Sequence, residues 1–148
     1  MNNRTYCLAQ EQPFFERSFM ILFHGTSSVF VGEILANGLC QPYLTSDEEI
    51  AEYYAECAVD EHGGEAVLLK VVVDESKDVL KPDYPAYAEP LTFYRDEYAS
   101  SDREWHEMLD AGEIPHPGSD EDWAVSLETV RSVLVASAIP GNRVSLPE

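Results

Sequence analysis

The sequence predicts a mixed α+β domain with a largely antiparallel sheet. Two strand-like segments lie in the first half of the chain: the apolar run Phe19 to Phe23, and the run Ala66 to Val73, which is rich in β-branched side chains. A third such segment, Val133 to Ile139, lies near the end. Helical patterns fill the intervals between them, as expected of an α+β fold. A chain of 148 residues suits one domain, which we predict over 1–148.

The first helix is predicted directly after the first strand. The letters HGTSS follow Phe23, and their glycine and hydroxyl residues suit a strand-to-helix turn with a serine as N-cap. The segment Val29 to Ala36 then has apolar residues at helical spacing, namely Val31, Ile34 and Leu35. Asn37-Gly38 supplies the left-handed residue that commonly ends a helix.

The second helix is predicted to begin at Ser46. Ser46 and Glu49 have capping-box spacing, and the acidic residues between them favour the positive end of the helix dipole. Four residues recur at i, i+3, i+4 and i+7 and are predicted to face the body of the protein: Ile50, Tyr53, Tyr54 and Cys57. The helix is predicted to stop near His62-Gly63-Gly64.

The second half of the chain has less regular patterns. Three prolines in the segment Lys81 to Pro90 argue against a regular helix or a central strand there. The range 96–122 carries ten acidic side chains against the single basic Arg103, and we predict an acidic variable insertion of mostly exposed helix and loop. It contains one amphipathic piece, around Trp105, Met108 and Leu109. Pro140-Gly141 predicts a turn after the last main strand.

The formal net charge of -19 indicates which partners the surface favours. A surface this acidic repels phosphate backbones and anionic lipid and attracts basic proteins. We therefore expect no direct binding to nucleic acid. No apolar run is long enough to span a bilayer, and the first residues lack the pattern of a secretory signal, so a soluble, cytoplasmic protein is predicted.

The cysteines and histidines do not predict a disulfide framework or a metal site. Cys7, Cys40 and Cys57 form no CxxC pair and are odd in number, so we expect them to be reduced and partly buried. His106 lies among acidic residues but at no spacing typical of zinc ligands, and such clustering is expected by chance in so acidic a region.

A more specific pattern spans residues 20–74. Its parts are, in order, His24-Gly25-Thr26 after a strand, a helix that ends at Gly38-Leu39, the triplet Tyr43-Leu44-Thr45, and a helix that bears Ala51 and Tyr54. In order and spacing this pattern resembles the ADP-ribosyltransferase superfamily, above all poly-ADP-ribose polymerases and diphtheria-type toxins. A weaker likeness extends to RNA 2′-phosphotransferases and DarT enzymes. The resemblance implies a mostly antiparallel split sheet with flanking helices, and NAD as the substrate.

The resemblance also implies roles for the residues of the first motif. His24 would hydrogen-bond the adenosine ribose, and a neutral imidazole suits this role because it donates with one nitrogen and accepts with the other. Gly25 would let the backbone reach the nicotinamide carboxamide, since it has no side chain in the way. Thr26 would add a ribose contact through its hydroxyl.

Two tyrosines would sandwich the nicotinamide ring. The matching positions are Tyr43 and Tyr54, and the negative faces of their rings would attract the pyridinium cation. Tyr53 lies on the same predicted helical face and is the alternative to Tyr54.

The reaction also needs a carboxylate near the ribose. The resemblance implies a glutamate on a late strand that stabilises the oxocarbenium-like ribose and orients the nucleophile. Glu128, in VSLETV, is the acidic residue inside the late strand-like region, so we predict it for this role. Glu113 and Glu121, from the acidic range, are alternatives.

Two functions from different classes follow. The first is an NAD-dependent enzyme that transfers ADP-ribose to a macromolecular acceptor. Because the surface is so acidic, we expect this acceptor to be a protein with a basic face. A phosphotransferase is less favoured, because the chain has nine basic residues and no arginine cluster at the His-Gly-Thr motif. The second is a non-enzymatic acidic inhibitor or nucleic-acid mimic, for example a phage or toxin-like effector, whose range 96–122 occupies a basic groove. Salt separates the two, since mimicry weakens steeply with ionic strength.

Overall fold

The computed structural model describes residues 19–147, which form an α+β fold with mostly antiparallel strands, as predicted. The strands, in chain order, are β1 Phe19–Ser27, β2 Leu39–Cys40, β3 Tyr43–Thr45, β4 Ala66–Asp74, β5 Leu80–Pro82, β6 Ser132–Val135, β7 Ala138–Ile139 and β8 Val144–Ser145. The helices are α1 Val31–Asn37, α2 Glu48–His62, α3 Tyr84–Ala88, α4 Thr92–Arg95, α5 Asp102–Asp110 and α6 Trp123–Thr129. Short 3₁₀ turns span Ser28–Phe30 and Gly141–Arg143.

In the described part of the chain the main sheet has six strands in the order β5-β6-β3-β1-β4-β8, and β2 pairs with β7 in a separate two-stranded sheet. Strand β1 pairs with β4 along its whole length, from Phe19↔Asp74 to Ser27↔Ala66. On its other edge β1 pairs with β3 at Phe23↔Thr45 alone. Beyond Phe23, within the described residues, β3 therefore leaves this edge of β1 uncovered, and the sheet opens there.

Strand β1 is longer than the sequence predicts. It continues through the HGTSS letters to Ser27, so His24, Gly25 and Thr26 lie in the strand and not in a turn. A serine cap is present, but Ser27 caps the 3₁₀ turn Ser28–Phe30, where its hydroxyl accepts from the Val29 N–H at 3.3 Å, and not α1, whose N-cap Phe30 makes no side-chain cap bond. Because the strand continues past the point where β3 diverges, the His-Gly-Thr residues lie on the open edge of the sheet. The end of α1 at Asn37 is as predicted, and Gly38 has a positive φ of 85°.

Helix α2 is capped by Asp47 and not by Ser46. Asp47 Oδ1 accepts from the Glu49 N–H at 2.8 Å, whereas the Ser46 N–H donates to the Arg131 carbonyl at 3.0 Å and so joins Ser46 to the end of the sheet. The predicted stop at Gly63 is confirmed.

The predicted inward stripe of α2 is confirmed at Ile50 and wrong at Tyr53, Tyr54 and Cys57. Ile50, Ala51 and Ala55 are buried, while Tyr53 and Tyr54 are 42% and 47% exposed. Two small alanines on the inner face let the helix approach β1 closely, and the tyrosines lie on its flank.

The proline-containing segment is more regular than predicted. Strand β5 lies at the edge of the main sheet, where the missing N–H of Pro82 is tolerated. Helix α3 follows, with Asp83 as its N-cap and a proline in its first turn, where no helical N–H is required. The predicted strand Val133 to Ile139 is divided, because β6 pairs with β3 and β5 whereas β7 pairs with β2.

Two clusters of buried side chains stabilise the fold. One packs on the main sheet and includes Leu22, Leu69, Val71 and Val133. The other joins α2 to α3, α4 and α5 around the fully buried Trp105. The predicted acidic insertion is thus anchored by the apolar side of α5, while most residues of 96–122 are exposed, as predicted.

No helix in residues 19–147 has both the length and the apolarity needed to cross a bilayer. The N-terminal signal and Cys7 predictions lie outside the described residues.

Candidate functional site

A cavity of about 550 Å³ lies where the main sheet opens, between β1, α2 and α3. Its walls include eight residues of the predicted motif: His24, Gly25, Thr26, Tyr43, Leu44, Thr45, Ala51 and Tyr54. Residues of three further elements complete it, among them Phe30 of the 3₁₀ turn, Asp83 at the start of α3 and Ser132 at the start of β6. The structure therefore brings together side chains from both ends of the chain around the open edge of β1.

His24 is held as a neutral imidazole. Burial lowers its pKa below the ordinary value of 6.5, and a hydrogen bond to the backbone of Tyr43 opposes that shift only in part. At pH 7 the ring is uncharged, so one ring nitrogen donates and the other accepts. An uncharged imidazole in a cavity suits hydrogen bonding to hydroxyl groups of a ligand.

Gly25 is required by packing against α2. A Cβ atom at this position would lie 1.8 Å from the Ala51 carbonyl oxygen and 2.8 Å from the Ala55 nitrogen. Real Cβ atoms do not approach backbone so closely, so any side chain would push the helix away from the strand. The contact explains why glycine and alanine occur together in the motif. It also sets the position of Tyr54, one helical turn after Ala51.

Tyr43 and Tyr54 both line the cavity with about half of their surface exposed, 49% and 47%. Tyr43 begins β3, and Tyr54 lies in the middle of α2. Burial, and secondarily the charge of Asp83, raises the pKa of Tyr54, so its hydroxyl stays protonated at neutral pH. Half-exposed aromatic side chains in a cavity are of the kind on which a flat ring stacks.

Tyr53 does not line this cavity. Its ring packs edge-on against Tyr54, with centroids 5.3 Å apart, and against Phe93 at 6.1 Å. It belongs to a separate shallow groove with Glu49, Glu52 and Glu56. Of the two tyrosines that the sequence left open, the structure places Tyr54 at the cavity.

The predicted carboxylate Glu128 lies elsewhere. It is exposed on helix α6, not on a strand, and it is not among the residues that line the cavity. The alternatives Glu113 and Glu121 are also exposed and outside the lining. The late segment forms a helix because its apolar and small residues recur at helical spacing, with Ser126 and Thr129 buried.

Asp83 is the residue that the sequence analysis missed. Asp83 lines the cavity, yet the residue is only 7% exposed. Oδ1 accepts from the Ala86 N–H at 3.1 Å, and Oδ2 accepts from the Ser132 hydroxyl at 2.7 Å. Burial raises the pKa of Asp83 above its ordinary value, although both hydrogen bonds oppose the shift. The letters DYPA, an N-cap aspartate before a proline in the first helical turn, are the signal that could have found it.

The backbone beside Ser132 is strained. Arg131 has a φ of 62°, in the left-handed region that bulky residues rarely occupy. Its carbonyl accepts from the Thr45 hydroxyl at 2.6 Å, and its guanidinium pairs with Asp47 at 2.6 Å and with Glu97. A conformation of this kind costs on the order of 1–3 kcal/mol and persists only where the surroundings determine it. These contacts fix the point at which β6 begins and hence the direction of the Ser132 hydroxyl.

The cavity has a negative lining. Glu61, Asp83 and Glu89 contribute carboxylates, and no lysine or arginine occurs among the described residues that line it. It therefore favours a cationic or neutral group, while a phosphate has to point to solvent.

Within residues 19–147 no three His, Cys, Asp or Glu side chains are gathered as a metal ion would require. Cys40 and Cys57 are free thiols and are exposed, not partly buried as predicted.

Comparison of the chain with known protein families, with curated proteins and with solved structures finds no match. The resemblance to ADP-ribosyltransferases therefore rests on the sequence motif in residues 20–74 alone.

Proposed function

We propose that this protein is an ADP-ribosyltransferase that uses NAD as its substrate and has an ADP-ribosyltransferase-like fold. One observation carries the proposal: His24, Gly25, Tyr43 and Tyr54, which the sequence motif names, all line one cavity at the open edge of the sheet. Two exposed aromatic faces, a neutral imidazole and an accessible strand edge are the groups that a nicotinamide riboside requires.

The residues would hold the nicotinamide riboside half of NAD. The faces of Tyr43 and Tyr54 would stack on the pyridinium ring, a contact worth about 0.5–2 kcal/mol per cation–π pair. The strand edge at Gly25 would bond the carboxamide, and His24 and Thr26 would bond ribose hydroxyls. Because the lining is negative, the diphosphate would lie toward solvent.

Transfer would begin when the bond between the ribose C1′ and the nicotinamide nitrogen breaks. The electron pair passes to the ring, which becomes neutral, and positive charge develops on the ribose. A nucleophile of the acceptor then attacks C1′ and loses its proton. Carboxylates fixed close to the ribose would stabilise the developing cation, as in other glycosyl transfers.

The acceptor is expected to be a protein with a basic face. The net charge of -19 favours such a partner over nucleic acid, and the acidic residues of α5 stay exposed because Trp105 holds the apolar side of this helix. The fold and the charge thus support the same acceptor class. If the protein is instead an acidic inhibitor, this surface alone carries its function.

Incubation with radiolabelled NAD tests the function. Wild-type protein in a lysate that contains the target is expected to transfer label to a protein band and to release nicotinamide. His24→Ala is expected to reduce both by about 100-fold, because a misplaced ribose loses its reactive geometry. The control is the thermal midpoint of both proteins, which should agree within a few degrees. Absence of label and of released nicotinamide with wild type would contradict the proposal.

A further inference from the structure

We propose that Asp83 is the catalytic carboxylate of this site and that the Ser132 hydroxyl positions it. The inference depends on the proposed function, since it assigns a step in the cleavage of NAD. It replaces Glu128, which the structure places on the surface of α6. Four properties of Asp83 support it: burial, a fixed orientation, the absence of a cation among the described lining residues, and a place in the same cavity as Tyr54.

Burial separates Asp83 from the other carboxylates of the cavity. Among the described residues the cavity has three, and Glu61 and Glu89 are exposed whereas Asp83 is 7% exposed. A charge acts on a ligand more strongly where water does not screen it. Asp83 is therefore the carboxylate with the largest effect on charge that develops inside the cavity.

The orientation of the carboxylate is fixed from two elements. The Ala86 N–H of α3 holds Oδ1, and the Ser132 hydroxyl of β6 holds Oδ2. The Asp83 N–H donates to Ser126 Oγ at 2.9 Å, and Ser126 Oγ donates to the Ser132 carbonyl at 2.8 Å, which closes a ring of contacts. Each carboxylate oxygen retains a second lone pair for a ligand. A group held in place in this way needs no reorganisation when charge develops.

Within residues 19–147 no positive side chain pairs with this buried charge. No lysine or arginine occurs in the described lining, and the hydrogen-bond partners of Asp83 are a backbone N–H and a hydroxyl. A buried carboxylate without a positive partner makes the empty cavity less stable and therefore favours the binding of a cation. The pyridinium of NAD is such a cation. When the glycosidic bond breaks, its positive charge passes to the ribose at C1′.

Asp83 also acts on the same part of the cavity as the stacking residues. Asp83 and Tyr54 line the same cavity. Burial, and after it the charge of Asp83, raises the pKa of Tyr54. A ring held by Tyr54 would thus lie within the field of Asp83. In the transfer reaction the C1′–N bond breaks, its electron pair neutralises the nicotinamide, and the acceptor's hydroxyl or amine attacks C1′. The acceptor's proton passes to the Asp83 carboxylate and from there to solvent.

The test is the rate of nicotinamide release from NAD by the full-length chain, with the affinity for NAD measured separately. Asp83→Asn keeps the size of the side chain and an oxygen that can cap α3, so it is expected to fold. We expect kcat to fall about 100-fold or more, and the Kd for NAD to change by no more than about tenfold. The matched control is Asp60→Asn. Asp60 is exposed on α2 and does not line the cavity, so this change should leave kcat and Kd unchanged.

Ser132→Ala tests the positioning role. We expect kcat to fall about tenfold with KM unchanged, and Ser132→Thr to restore most of the rate, because the hydroxyl and not the packing is required. If Asp83→Asn does not fold cooperatively, Ser132→Ala decides, and an unchanged kcat then overturns the inference.

The outcomes for the two proposals differ. A wild-type protein that neither binds NAD nor releases nicotinamide contradicts the proposed function itself. A wild-type protein that releases nicotinamide, with Asp83→Asn within about threefold of it, overturns the assignment of Asp83 alone. A 100-fold loss of nicotinamide release in Glu128→Gln would also overturn the assignment of Asp83, and it would support Glu128 as the catalytic carboxylate.

Discussion

Replacing Tyr54 by alanine is expected to lower kcat/KM for NAD about 30-fold or more, whereas Tyr53→Ala should leave it within about threefold. The two residues are neighbours with the same side chain and similar exposure. Tyr54 lines the cavity and Tyr53 lines the groove beside it. Loss of a desolvated cation–π contact of about 2 kcal/mol corresponds to a factor of about 30.

Release of nicotinamide under substrate-limited conditions measures this difference directly. Tyr53→Ala is the matched control, because it removes an equal side chain from the same exposed flank of α2. Tyr54→Phe should retain most of the rate, since stacking needs the ring face and not the hydroxyl. A larger loss in Tyr53→Ala than in Tyr54→Ala would show that the aromatic partner had been assigned to the wrong tyrosine.

Trp105→Ala is expected to reduce the free energy of unfolding by about 3–5 kcal/mol. The side chain is fully buried, and its indole N–H donates to the Tyr87 carbonyl at 2.8 Å. It also contacts the rings of Tyr87, Tyr94 and Tyr98. Truncation would leave both a void and a buried carbonyl without its donor, and both effects are destabilising.

The effect should extend to the candidate site. Tyr87 belongs to α3, and the Tyr94 hydroxyl donates to the Ala86 carbonyl at 2.7 Å, so the cluster around Trp105 supports the helix that begins beside Asp83. Urea unfolding followed by circular dichroism measures the change. Trp123→Ala, at a partly exposed position, is the control and should cost less. A loss below about 1 kcal/mol for Trp105→Ala would contradict the central place of this residue.

The strands at the centre of the sheet were predictable because their sequences carry a local signal. The apolar run before His24 and the β-branched run Ala66 to Val73 correspond to β1 and β4. The ends of α1 and α2 were also predictable, since Gly38 and Gly63 follow the last helical residues directly. In these places the local propensity and the tertiary packing agree.

Other features depend on contacts that the local sequence does not show. The prolines near Asp83 indicate irregular backbone, but the Ser132 hydroxyl that orients Asp83 is 49 residues away in the chain. Tyr53 and Tyr54 fit an apolar stripe by spacing, yet Ala51 and Ala55 are buried in their place, because Gly25 lets the helix approach β1 closely. The site was therefore predictable where it follows one motif, and not where it joins distant segments.

The most direct measurement is an NMR titration of the full-length chain, with labelled tyrosine rings, against NAD. Binding in the cavity predicts saturable shifts of the Tyr43 and Tyr54 ring resonances and contacts between their protons and those of the pyridinium ring, with smaller changes at Tyr53. The same titration with His24→Ala should require more NAD. No saturable shift at Tyr43 and Tyr54, or shifts confined to the acidic surface of α5, would contradict an NAD site in this cavity.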